Sequence, residues 1–144
     1  MKHQITSAMG AAMLSLACAA VYGQVGTPDT RPLLDERGEV EHPDARAIPA
    51  NPEHRTHAGL YATTAQARLL ESTMHDQVIA QRVDCCGEQG VDEAVRRVWH
   101  THVAYETPTT VPVLIYGDDM QHGALVVDRL TDRGLSRVFL VSTP

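Results

Sequence analysis

Residues 110–143, TVPVLIYGDDMQHGALVVDRLTDRGLSRVFLVST, hold one complete supersecondary unit. Val113-Leu114-Ile115-Tyr116 is an apolar run of strand length, and Gly117-Asp118-Asp119-Met120 interrupts it as a polar loop. Leu125, Val126, Val127 and Leu130 then supply the buried face of a helix expected from about Gln121 to Arg133, and Gly134 is placed to end it in the left-handed conformation. Val138-Phe139-Leu140-Val141 closes the unit as a second strand, apolar on both faces, as befits a parallel strand covered by helices. Strand, helix and strand in this order predict a small three-layer α/β domain with a mostly parallel sheet.

Upstream, Val91, Ala94, Val95, Val98 and Trp99 recur at the spacing of one helix face, with Asp92, Glu93, Arg96 and Arg97 on the other. This helix is expected to pack on the sheet through Trp99 and to end near His100, with Thr101 to Glu106 returning as strand or loop. An earlier helix opens at a capping box, Thr63-Thr64-Ala65-Gln66, and runs through Ala67, Leu70 and Met74 to about Gln77. Val78 to Val83 reads equally as a further helical turn or as a strand. Pro112 suits a strand start, where a missing donor costs least. Residues 24–58 are proline-rich and poor in apolar side chains, so they are expected to be extended, with Leu33-Leu34 as a short first strand and residues 51–59 as a surface connection. The α/β core is assigned to residues 59–144.

Residues 1–23 have the layout of a secretory leader: Lys2 and His3, then an Ala-rich apolar stretch from Ile5 to Val21, then small residues, with cleavage expected after Gly23. The product is an exported chain, periplasmic or secreted, with no membrane span after processing. Cys18 opens the alternative of a lipid anchor, but Ser15 stands where that processing wants an aliphatic side chain. Cleavage removes Lys2, the only lysine, and leaves a chain more acidic than the formal −6 of the whole. An acidic chain without a basic stripe argues against nucleic acid as a partner.

Three groups of residues offer chemistry. The loop Gly117, Asp118, Asp119, Met120, Gln121 and His122 lies between a strand's carboxyl end and a helix's amino end, where open α/β sheets place ligands and where free amides favour anions. Asp118 and Asp119 oppose an anion there, and the plainer reading is that they cap the helix and face water. Cys85-Cys86 would be oxidised in an exported chain, and a bond between neighbours closes a strained, labile ring. The pair is open to three readings: buried or partner-bonded thiols, redox or sulfur chemistry, or a soft-metal site. His100 and His102 would share a face if they lay on a strand, giving two metal ligands that Cys85 or Cys86 would complete. The plainer reading makes His100 the end of a helix, favoured by the dipole. His54 and His57 form a second such pair.

These residues also resemble a family. Ile115-Tyr116-Gly117-Asp118-Asp119-Met120-Gln121-His122, followed by Leu130 and Arg133-Gly134-Leu135-Ser136-Arg137-Val138, resembles the last third of single-domain rhodaneses. Leu34-Asp35-Glu36-Arg37 looks like the family's Asp-x-Arg element, and the stretch from His42-Pro43-Asp44-Ala45 to Ile48-Pro49 looks like its His-x-Pro-Gly-Ala-x-x-Ile-Pro element with a deletion. The resemblance implies a rhodanese-like fold in which the nucleophilic Cys falls on Gly117, the loop Gly on Met120 and the anion-binding Arg on His122. A persulfide needs a thiolate and positive potential around it, so the resemblance implies a site inactive in sulfur transfer. The expected function is an exported, non-catalytic, rhodanese-like accessory protein that binds a protein partner or small ligand and needs no cofactor. The alternatives are a thiol protein working through Cys85-Cys86 and a metal-binding protein using cysteine and histidine.

Overall fold

The computed structural model describes residues 33–35, 47–83 and 87–142. The leader with Cys18, most of the two upstream rhodanese-like elements, and Cys85-Cys86 lie outside the described residues. Four strands, β1 (Tyr61–Thr63), β2 (Ile79–Val83), β3 (Val113–Gly117) and β4 (Val138–Ser142), form one sheet in the order β1-β4-β3-β2. Every pairing is parallel. Three helices connect them: α1 (Thr64–Met74), α2 (Gly87–Ala104) and α3 (Met120–Asp132).

Period-two alternation in the central strands sorts the core into two layers. Val113, Ile115, Val138 and Leu140 face one side and pack with Val91, Val95 and Val98 of α2 and Val126, Val127 and Leu130 of α3. Leu114, Phe139 and Val141 face the other side and pack with Ala67 and Leu70 of α1. The domain is therefore a three-layer α/β/α structure, with β3 and β4 apolar on both faces because both faces are covered.

The ends of the elements follow local chemistry. Thr63 and Gln66 form the expected capping box, with Gln66 N donating to Thr63 Oγ1 at 3.1 Å and Thr63 N to Gln66 Oε1 at 3.0 Å. Helix α3 ends in a Schellman motif: Gly134 has φ +103, its N–H reaches Thr131 O, and Leu135 N reaches Leu130 O. Leu130 and Leu135 are both buried, which supplies the apolar contact of that motif. Pro112 stands just before β3, and its carbonyl accepts from Ile79 N, so the ladder to β2 begins at a residue with no donor of its own.

Several boundaries differ from expectation. Helix α1 stops at Met74, a 3₁₀ turn covers His75–Gln77, and the ambiguous stretch is strand β2. Helix α2 does not end at His100; it runs through Ala104, because buried His102 continues the stripe of Val91, Val95 and Val98. Trp99 lies at the edge of that stripe, half-buried, while the three valines make the contact with the sheet. In α3, Leu125 is exposed and Ala124 takes its place in the core. The first sheet strand is Tyr61–Thr63, and Leu34 makes only an isolated bridge. Leu33 and Ala47 nonetheless reach the core from the proline-rich region.

Candidate functional site

The Gly117 loop sits where the sequence places it, at the carboxyl ends of β3 and β4 and the amino end of α3. Its geometry is tight. A Cβ added at Gly117 would lie 2.7 Å from the Asp119 carbonyl oxygen and 3.2 Å from the Gly123 Cα, inside contact distance of backbone that has no side chain to rotate away. Gly123, in the first turn of α3, is less rigidly confined: its own Cβ would lie 2.8 Å from the Leu140 Cδ1, the end of a side chain that can shift. Two glycines facing each other thus let α3 start directly on the strand end.

Asp119 holds the polar groups of the helix start, and Asp118 turns to a cation on β2. The Asp119 carboxylate accepts from Gln121 N at 2.8 Å as the α3 N-cap, and its carbonyl accepts from Gly123 N at 3.0 Å as the first helical bond. The second Asp119 oxygen lies 3.2 Å from His122 Nδ1. Asp118 meets Arg82 at 3.4 Å, a pair in which both side chains are exposed and which contributes little to stability. Asp119 therefore caps the helix, while Asp118 is exposed and meets Arg82 rather than capping, and an incoming anion would have to displace the Asp119 carboxylate from the helix terminus.

Beside this loop, on the α1 side of the sheet, Tyr116 donates its phenol proton to Glu71 Oε1 at 3.1 Å. Burial and then the Glu71 charge push the Tyr116 phenol up to about 12, against a weaker opposing pull from Arg68 and Arg82. Neither Glu71 nor Gly123 was singled out from the sequence. The recurrence of Gly at positions 117 and 123, one at a strand end and one in the next helix, was the available signal for the second.

The histidines do not form a pair. His100 and His102 both lie on α2, and positions two apart on a helix diverge by about 200°, so the shared face that a strand would have given is absent. His102 is buried with Nδ1 2.6 Å from Thr107 Oγ1, and its ring lies 5.3 Å from that of Trp99. His54 meets Asn51, and His57 meets Asp128, on separate contacts. Among the described residues no three His, Cys, Asp or Glu side chains come together to hold a metal ion, and no helix is long and apolar enough to cross a membrane. Cys85 and Cys86 fall in the chain between Val83, the register partner of Gly117, and Gly87, where α2 begins.

No family model, no curated protein and no solved structure matches this chain.

Proposed function

We propose that this chain is an exported, rhodanese-like accessory or binding protein that performs no sulfur transfer at its Gly117 loop. The observation that carries the reading is the confinement of Gly117. A sulfur nucleophile at this position would need a Cβ where the Asp119 carbonyl already stands at 2.7 Å, and the helix amide that would steady an anion is held by Asp119 instead. The leader-like residues 1–23 support export, and the motif order from Leu34 to Val138 supports the family. Thiosulfate sulfurtransferase assays on the wild type and on Cys85→Ser plus Cys86→Ser test it. Background rates are expected from both, and turnover that survives the double substitution would overturn the reading.

A second reading, a thiol protein using Cys85-Cys86 for redox or sulfur transfer, is favoured by one feature of the register. Val83 pairs with Gly117, so β2 ends level with the Gly117 loop at the carboxyl edge of the sheet, and Cys85 is two residues further on in the sequence. It predicts thiols whose titration changes on reduction and a transfer activity that the double substitution abolishes. Thiols unreactive before and after reductant would sink it.

A further inference from the structure

A different surface departs from the acidic character of the chain. Helices α2 and α3 leave an open groove of about 510 Å³ between their outward faces, lined by Asp92, Val95, Arg96, Arg129, Asp132 and Arg133. Arg129 is paired with Asp92. Among the described residues Arg96 and Arg133 have no carboxylate within ion-pair distance, and Asp132 has no cation there, so three arginines against two aspartates leave the groove net positive in a chain of formal charge −6.

An apolar strip adjoins these cations. Arg96, Trp99 and Val103 fall at i, i+3 and i+7 on one face of α2. Trp99 is half-buried, with the Arg133 guanidinium 5.6 Å from its ring centroid, and Val103 is 57% exposed. Tyr105, the residue after α2, is 77% exposed. Phe139 and Tyr61 are placed in the core, yet the only Trp of the chain and Tyr105, the most exposed hydrophobic ring among the described residues, lie toward the end of one helix. Trp, Tyr and Arg are the side chains that dominate binding energy at protein interfaces.

We propose that the α2–α3 face is a docking surface for an acidic segment of a partner protein, with the partner's carboxylates on Arg96 and Arg133 and an apolar side chain against Trp99 and Val103. Charge complementarity selects the partner: two guanidiniums that meet no carboxylate among the described residues pair with carboxylates, and Asp132 turns away a run of acids longer than the pair.

Because Trp99 is the sole tryptophan, its emission reads this face directly. The full chain is titrated with a short synthetic peptide of alternating Glu and Leu. A saturable change is expected, weakening with salt and losing about tenfold in affinity in Arg96→Gln plus Arg133→Gln. Thermal unfolding should be unchanged in that variant, since both side chains are exposed at the groove. The proposal is overturned if the peptide gives no saturable change, if a Lys and Leu peptide binds as well, or if the double variant binds like wild type. Equal binding of a thymidine oligonucleotide would also overturn it, by making the face a general polyanion site.

Discussion

In the loop after β3, Asp119 holds the Gln121 amide and His122 while Asp118 meets Arg82, and Gly117 has no room for a Cβ. In the groove between α2 and α3 Arg129 is paired with Asp92, while Arg96 and Arg133, the latter over the half-buried Trp99 ring, meet no carboxylate among the described residues. The first region has the topological position of a ligand site and satisfies its own charges. The second has no special position in the fold and, beyond the Arg129–Asp92 pair, leaves Arg96 and Arg133 without a carboxylate among the described residues. Position at the carboxyl edge of a parallel sheet says where a site can be built; whether one is built depends on which polar groups remain after the fold has used its share. Substitutions in the loop should therefore be read out in stability, and substitutions in the groove in binding.

The largest stability effect is expected at Gly117. Gly117→Ala places a methyl group against the Asp119 carbonyl and the Gly123 Cα, so α3 must lift from the strand end, and overpacking of this kind costs about 1–3 kcal/mol. Chemical denaturation checks it. A loss below half a kcal/mol would mean that the loop relaxes easily, and the steric case against a nucleophile at this position would fall with it. Asp119→Ala comes next. It removes the N-cap of α3 and the partner of His122, for about 1 kcal/mol, while Asp119→Asn should recover most of that loss. If Asn fails where Ala fails, the charge of Asp119 matters more than the cap.

Most of the architecture was legible because it rests on periodicity. The runs Val113-Leu114-Ile115 and Val138-Phe139-Leu140-Val141 are apolar on both faces, and the two central strands of a parallel sheet are the only strands that need to be. The capping box at Thr63 and Gly134 at the end of α3 are local signals with local causes, and both hold. What escaped was set by tertiary context. Strand β1 is three residues long, too short to show alternation, and exists because Tyr61, Ala62 and Thr63 pair with β4. Helix α2 passes His100 because His102 continues the buried stripe of Val91, Val95 and Val98, a continuation masked in the sequence by the polar character of histidine. At the site, the capping role of Asp119 follows from its place before a helix. The closeness of Gly117 to Gly123 does not, since it depends on how α3 is set against β4 through Leu140. The groove could not be read at all: Arg96 and Arg133 lie far apart in sequence, and only the packing of α2 on α3 brings them to one place.

Tyr116 links the loop to the α1 layer and gives a pH test of the same side of the comparison. Its phenol is raised from 10.0 to about 12, first by burial and then by Glu71. A raised pKa means that the folded state favours the neutral phenol, so this contribution is complete below about pH 10 and is lost as pH rises toward 12. Unfolding midpoints measured across that window should fall in the wild type, and the fall should be smaller in Tyr116→Phe. At neutral pH the same substitution gives up the hydrogen bond to Glu71, for about 1 kcal/mol. Equal slopes for the two proteins above pH 10 would mean that burial and Glu71 together do not hold the phenol proton.

The smallest stability effects belong to the groove. Arg96→Gln removes an exposed charge that meets no carboxylate among the described residues, and Arg133→Gln removes a guanidinium whose contact is the Trp99 ring. Each should change the unfolding free energy by less than about 0.5 kcal/mol, the range of exposed substitutions, since Arg133 caps α3 through its backbone N–H and not through its side chain. Arg129→Gln is the internal control, because it breaks the pair with Asp92 and leaves that acid facing the groove. Its stability cost should also be small, as for exposed pairs generally, yet it should weaken acidic peptides by adding an unpaired carboxylate to the surface they approach. A surface kept for folding would rank the three arginines by the contacts they make within the protein, with Arg129 first in stability. A surface kept for binding leaves all three indifferent to unfolding and sensitive to the partner, and that ordering is what separates the two regions.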